Sequence, residues 1–87
     1  MKYHLIVKPS AEKDVSRLPV SVQRRVLDRL ARIEADPRTP GSVKLAGAEA
    51  TYRVRVGDWR IVYEIDDARR RVFVTIVAHR REVYRGQ

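Results

Sequence analysis

Thr51-Tyr52-Arg53-Val54-Arg55-Val56-Gly57-Asp58-Trp59-Arg60-Ile61-Val62-Tyr63-Glu64-Ile65-Asp66 is the stretch that decides the fold. Thr51 to Val56 alternates Tyr52, Val54 and Val56 with Arg53 and Arg55. Trp59 to Asp66 alternates Trp59, Ile61, Tyr63 and Ile65 with Arg60, Val62 and Glu64. A period of two belongs to a strand with one buried face. Gly57-Asp58, between the two runs, has the composition of a two-residue hairpin turn. That turn sets Val56 against Trp59, Arg55 against Arg60, Val54 against Ile61, Arg53 against Val62 and Tyr52 against Tyr63. Directly paired residues share a face. One face is therefore apolar and aromatic, suited to covering helices. The other carries Arg53, Arg55 and Arg60. Like charges directly opposite each other are unfavourable, so stability alone does not select Arg55 and Arg60 as partners. Choices that break a local rule in this way tend to gather at functional sites.

Towards the C-terminus, Asp66 to Arg70 reads as a longer hairpin connection and Val72 to Ala78 as a third strand, apolar on both parities. Continuing the alternation puts Val72, Val74, Ile76 and Ala78 with the core face and Phe73, Thr75, Val77 and His79 with the arginines. His79 then emerges at the edge of the cluster. Arg80 has the wrong parity to join it unless the strand ends or bulges there. Arg81, Tyr84 and Arg85 follow in a short tail able to fold over the same face. An ordinary solvated sheet face is the competing reading. Three arginines, a histidine and a basic-aromatic tail converging weigh against it.

Towards the N-terminus, Pro37, Pro40, Gly41 and Gly47 mark residues 36–50 as a surface connection. Val20 to Ala35 reads as an amphipathic helix with Val22, Val26, Leu27, Leu30 and Ile33 on one face and a solvated basic back, stopped by Asp36-Pro37. A shorter helix precedes Pro19, with Ser10 placed as its N-cap and Glu12 and Asp14 in its first turn. Lys2 to Lys8 alternates as a first strand, ended by Pro9. The order is β-α-α-β-β-β, an α+β domain with both helices packed on one face of an antiparallel sheet.

Composition bounds the function. A chain of 87 residues is one domain with a modest core, and without cysteine it has neither disulfides nor a catalytic thiol. No apolar run suggests a membrane span or a signal peptide, so a cytoplasmic protein without membrane partners is expected. The net charge of +8, mostly from arginine, favours a polyanionic partner and leans towards phosphate. There is no P-loop, dinucleotide fingerprint or Ser/His/Asp signature, and no cofactor is expected. His4 and His79 make no recognisable metal motif, and the open face offers few carboxylates for two-metal nuclease chemistry. Metal-free chemistry on a phosphodiester is the reading left.

Lys44-Leu45-Ala46-Gly47, the run from Tyr52 to Asp66, and Val77-Ala78-His79-Arg80-Arg81-Glu82-Val83-Tyr84-Arg85 together resemble the RelE toxins of bacterial and archaeal toxin–antitoxin pairs. The resemblance extends over the whole chain. It implies a ribosome-dependent endoribonuclease that cuts mRNA in the A site and is silenced by a cognate antitoxin with an acidic binding segment. The family's catalytic positions fall on Arg53, Arg55, Arg60, Arg80 and Tyr84, and Lys44, Arg81 and Arg85 are expected to contact RNA. The first two positions are often Lys in the family, Ala46 replaces a frequent basic residue, and His79 stands where some members carry Lys. In the implied reaction the ribose 2′-OH attacks the adjacent phosphate, leaving a cyclic phosphate and a 5′-OH. Arginines suit the developing charge but carry protons poorly, which directs the acid and base roles to His79 and Tyr84. Val62, Phe73 and Val77 are expected to anchor the antitoxin on the open face. Competing readings are a ParE-like gyrase inhibitor on the same fold, a non-catalytic RNA- or ribosome-binding module, and a degenerate toxin that keeps only antitoxin binding.

Overall fold

The computed structural model describes residues 3–45, 47 and 50–81. Their order is β1 (His4–Val7), α1 (Pro9–Ser16), α2 (Val20–Ala35), β2 (Val43–Lys44), β3 (Thr51–Val56), β4 (Trp59–Asp66) and β5 (Arg71–His79). The sheet has five strands in the order β1-β5-β4-β3-β2. Alternation places β3 and β4 at their expected bounds, and Val54, Val56, Ile61, Tyr63 and Ile65 all lie buried in the core. α2 adds Val26, Leu30 and Ile33 to that core and α1 adds Ala11, with Leu18 buried at the junction between the helices. Each fully buried aliphatic side chain contributes on the order of 1.5–3 kcal/mol.

Five expectations need correction. The sheet is mixed, because β1 runs parallel to β5, pairing Leu5 with Val72 and Val7 with Val74. A parallel neighbour pairs across the whole chain and leaves no local signature. Residues 36–50 contain the short strand β2, which pairs Val43 with Arg53 and Lys44 with Tyr52. α1 begins at Pro9, whose fixed φ suits a first helical position, and Ser10 is not its cap. Leu27 is 52% exposed, at the margin of the apolar face.

The remaining correction concerns β5 and reaches the site. Val62 pairs with Ile76 but Tyr63 pairs with Val74, so Thr75 is an extra residue in the ladder. This β-bulge reverses the alternation of everything after it. Val77, expected on the arginine face, instead pairs with Ile61 and is 2% exposed in the core. α1 supports the bulge. Where β1 stops, the Ser10 hydroxyl donates to the Thr75 carbonyl (3.2 Å) and the Asp14 carboxylate accepts the Val77 N–H (3.1 Å). The helix thereby satisfies backbone groups that would otherwise form an open sheet edge.

Candidate phosphodiester site

The β3–β4 hairpin positions the site. Gly57 has φ +60°, whereas Asp58 is not among the positive-φ residues, the pattern of a type II′ turn with glycine at its first central position. The resulting register sets Arg55 directly against Arg60 and Arg53 against Val62. Both guanidiniums converge on one acceptor. Arg55 Nε donates to the Gly57 carbonyl at 3.4 Å and Arg60 Nη1 donates to it at 3.2 Å. Arg60 Nη1 also reaches the Trp59 carbonyl at 3.1 Å. The carbonyls fix the forks without neutralising them.

The bulge decides what β5 adds. Ala78 is the residue opposite Arg60, leaving room beside that guanidinium. One residue beyond β5, the Arg80 N–H donates to the Asp58 carbonyl at 2.7 Å, and its Nε stands 3.9 Å from Asp58 Oδ1. Arg80 thus docks on the hairpin turn. Burial, followed by the charges of Arg55, Arg53 and Arg80, pulls the Arg60 pKa below its ordinary value, while Asp58 pulls it the other way. Four guanidiniums therefore share one electrostatic neighbourhood, centred on Arg60.

His79 does not join them. It pairs with Trp59 on the opposite parity, its ring edge-on to the indole with centroids 5.4 Å apart. Its Nδ1 accepts the Arg81 backbone N–H at 3.3 Å. The expected place for His79 beside the arginines is overturned by the bulge. Lys44 shares register with Tyr52, the helix-side residue, and so falls on the other face from Arg53. Arg81 is exposed just beyond the strand. Tyr84 and Arg85 lie outside the described residues. Of the expected apolar anchors, Val62 is buried at 3% exposure, Val77 is in the core, and Phe73 is partly buried beneath the Lys8 ammonium, 5.1 Å above its ring.

Two arrangements were not foreseen. Asp67 binds Arg38 through both carboxylate oxygens at 3.1 and 2.9 Å and accepts the Tyr3 hydroxyl at 2.5 Å, tying the loop after α2 to β1 and the β4–β5 turn. On the back of α2, Arg25, Arg29 and Arg32 face Arg55 and Gly57 across an open groove of about 290 Å³. The sequence alone gives this side of the helix as a solvated basic surface. The i, i+4, i+7 spacing of those arginines was the available signal.

A family model described as the ParE toxin of the type II toxin–antitoxin system parDE matches residues 5–84. The toxin RelE of Mycobacterium tuberculosis is 30% identical over 84 residues, covering 95% of this chain and 87% of that protein. In the intact Escherichia coli RelBE toxin–antitoxin complex, a chain 26% identical superimposes with a TM-score of 0.79, covering 88% of this chain and 95% of its own. The archaeal RelE–RelB complex of Pyrococcus horikoshii has a chain 24% identical, with a TM-score of 0.82 and coverage of 94% and 99%; this last likeness concerns the fold. No helix among the described residues is long and apolar enough to cross a membrane.

Proposed function

The chain belongs to the RelE/ParE family of toxins from type II toxin–antitoxin systems, and from that premise we propose that it is a cytoplasmic endoribonuclease that cuts mRNA in the ribosomal A site. The observation that carries this reading is the direct pairing of Arg55 with Arg60, with Arg53 and Arg80 close enough to act on Arg60. Mutually repelling guanidiniums gain most when a phosphate enters among them. They gain more still as that phosphate acquires charge in a pentacoordinate transition state. Arg53, Arg55, Arg60 and Arg80 are assigned this work.

The step itself runs in line. A base removes the 2′-OH proton, the 2′-oxygen bonds to phosphorus, the P–O5′ bond breaks, and the leaving 5′-oxygen takes a proton. The products are a 2′,3′-cyclic phosphate and a 5′-OH. Arg60 keeps its charge, and its fork, held by the Gly57 and Trp59 carbonyls, donates to the oxygens on which charge develops. Tyr84 is assigned as the base for the 2′-OH, and the leaving 5′-oxygen takes its proton from solvent water. His79, turned towards Trp59, is withdrawn from proton transfer. Arg81 and Arg85 are assigned to the RNA backbone, and the ribosome supplies the A-site message. Lys44 is assigned at most a peripheral contact.

A cognate antitoxin is the expected protein partner, since relatives are seen in toxin–antitoxin complexes. An acidic segment would complement the four arginines. A second reading, inhibition of DNA gyrase, is favoured by the ParE description of the matching family model. The RelE relative and the arginine cluster favour the nuclease. Mapping 5′ ends on a message with and without translating ribosomes separates them. Cuts confined to translated message support the nuclease; no cuts, with accumulating gyrase–DNA breaks, support the alternative.

A further inference from the structure

The hairpin turn has two basic sides. One is the sheet face holding Arg55 and Arg60. The other is the groove between the turn and the back of α2, lined by Arg25, Arg29 and Arg32 together with Arg55 and Gly57. Asp28 is the carboxylate in that lining, and among the described residues it forms no ion pair with any of these arginines. The Arg29 Nε is buried and has no hydrogen-bond partner. A buried donor left unmet is costly, and charged donors are the most costly. The Arg25 guanidinium packs so closely on the turn that a Cβ at Gly57 would lie 3.1 Å from its Nη2. Glycine therefore permits both the turn and the closeness of Arg25. Arg55 belongs to both sides, making the basic surface continuous around the turn.

We propose that this groove is a second phosphate-binding site, taking the backbone of the RNA strand whose scissile phosphate lies on the arginine face. The inference rests on the nuclease reading and names how the strand is held away from the reacting bond. Four guanidiniums against one carboxylate create a strong preference for anions. Val56 is the apolar residue of the lining, so the groove suits a phosphodiester better than an acidic peptide, which needs apolar seats to bind specifically. Arg25 and Arg32 are exposed, and Arg29 sits deeper with the unmet donor. Arg29 contributes its charge from the wall, its Nε being enclosed, while Arg25 and Arg32 present the accessible donors. The strand then bends around Gly57, with phosphates on both sides of the hairpin.

The test uses the full-length protein and a fluorescent single-stranded RNA carrying 2′-O-methyl groups throughout, which cannot be cut by 2′-OH attack. Binding is followed against salt for wild type, for the double variant R25Q/R32Q, and for R25K/R32K. Gln keeps helix propensity close to that of Arg, and thermal unfolding verifies the fold. R25Q/R32Q is expected to weaken binding several-fold and to flatten the slope of log K against log salt by about 1.4, the release from two single-strand phosphates. R25K/R32K is expected to retain the slope. No measurable binding by wild type, or the same slope and affinity in R25Q/R32Q, overturns the proposal. So does a loss of affinity for polyglutamate with RNA binding intact, which would assign the groove to an acidic protein segment. Cleavage on translating ribosomes is scored separately with R60A. A failure of the nuclease reading would appear there and not in the salt slopes.

Discussion

Arg55 and Arg60 stand directly opposite each other across the β3–β4 ladder, and both donate to the carbonyl of Gly57. A like-charged cross-strand pair destabilises the hairpin that carries it by about 0.2–1 kcal/mol. Stability and activity are therefore expected to part here. Arg55→Thr, a good strand residue, should raise the unfolding midpoint, at about 4–8 °C per kcal/mol for a domain of this size. Arg60→Ala should lower translation-dependent cleavage by about 10²–10³, as removal of one preorganised donor typically does. Calorimetry and 5′-end mapping of the two variants check the pair of outcomes. Intact cleavage by Arg60→Ala would remove this face from the reaction.

Asp14 is expected to hold the bulge at Thr75. Asp14→Ala leaves the Val77 N–H without its acceptor and should cost about 1–3 kcal/mol. Asp14→Asn, which keeps an acceptor oxygen, should cost less. Amide exchange at Val77 should accelerate in the alanine variant. Unchanged protection there would mean that α1 does not secure the bulge.

Acid stability should depend in part on Asp67. Hydrogen bonds from Arg38, then from the Tyr3 hydroxyl, hold its carboxyl down to about 2 from a usual 3.8. Because the folded value is the lower one, this contribution is complete above the unfolded value and is lost as pH falls through about 2. Asp67→Asn should flatten the acid limb of a stability–pH profile between those values, and should also weaken the alkaline contribution of Tyr3, whose hydroxyl is raised first by its hydrogen bond to Asp67. The network is solvent-exposed, so added salt should shrink the difference. An acid limb identical to wild type would contradict the assignment.

Tyr63 is expected to ionise late. Burial, first among the causes, pushes its hydroxyl up to about 12, and that hydroxyl donates to the buried Pro37 carbonyl at 2.6 Å. The folded value is the raised one, so its contribution to stability is present at neutral pH and fades as pH climbs from 10 towards 12. An ultraviolet titration should show a tyrosinate step near the upper value that Tyr63→Phe removes. The same variant should destabilise by about 1–2 kcal/mol, through an acceptor that has lost its donor. A titration unchanged by Tyr63→Phe would refute the assignment.

Much of the site was legible because alternation and turn chemistry are local. Strand period, a Gly-Asp turn and the face rule were enough to place Arg55 against Arg60 and Arg53 beside them. β2 was missed because two residues, Val43 and Lys44, carry no periodicity. Its register then sends Lys44 to the face opposite the arginines. The groove was missed because its two walls, α2 and the hairpin turn, are far apart in sequence. Periodicity describes one wall at a time.

The sequence by itself determined the charge, the helix faces, and the hairpin whose register opposes Arg55 to Arg60. Each follows from side-chain direction along a single element, which covalent geometry imposes. Only the tertiary structure decided which residues of β5 meet that face. Thr75 is extra because groups 63 and 65 positions away, the Asp14 carboxylate and the Ser10 hydroxyl, satisfy the backbone there. A one-residue slip exchanges the two faces of a strand. That slip carried Val77 into the core, turned His79 to Trp59 and set Ala78 beside Arg60.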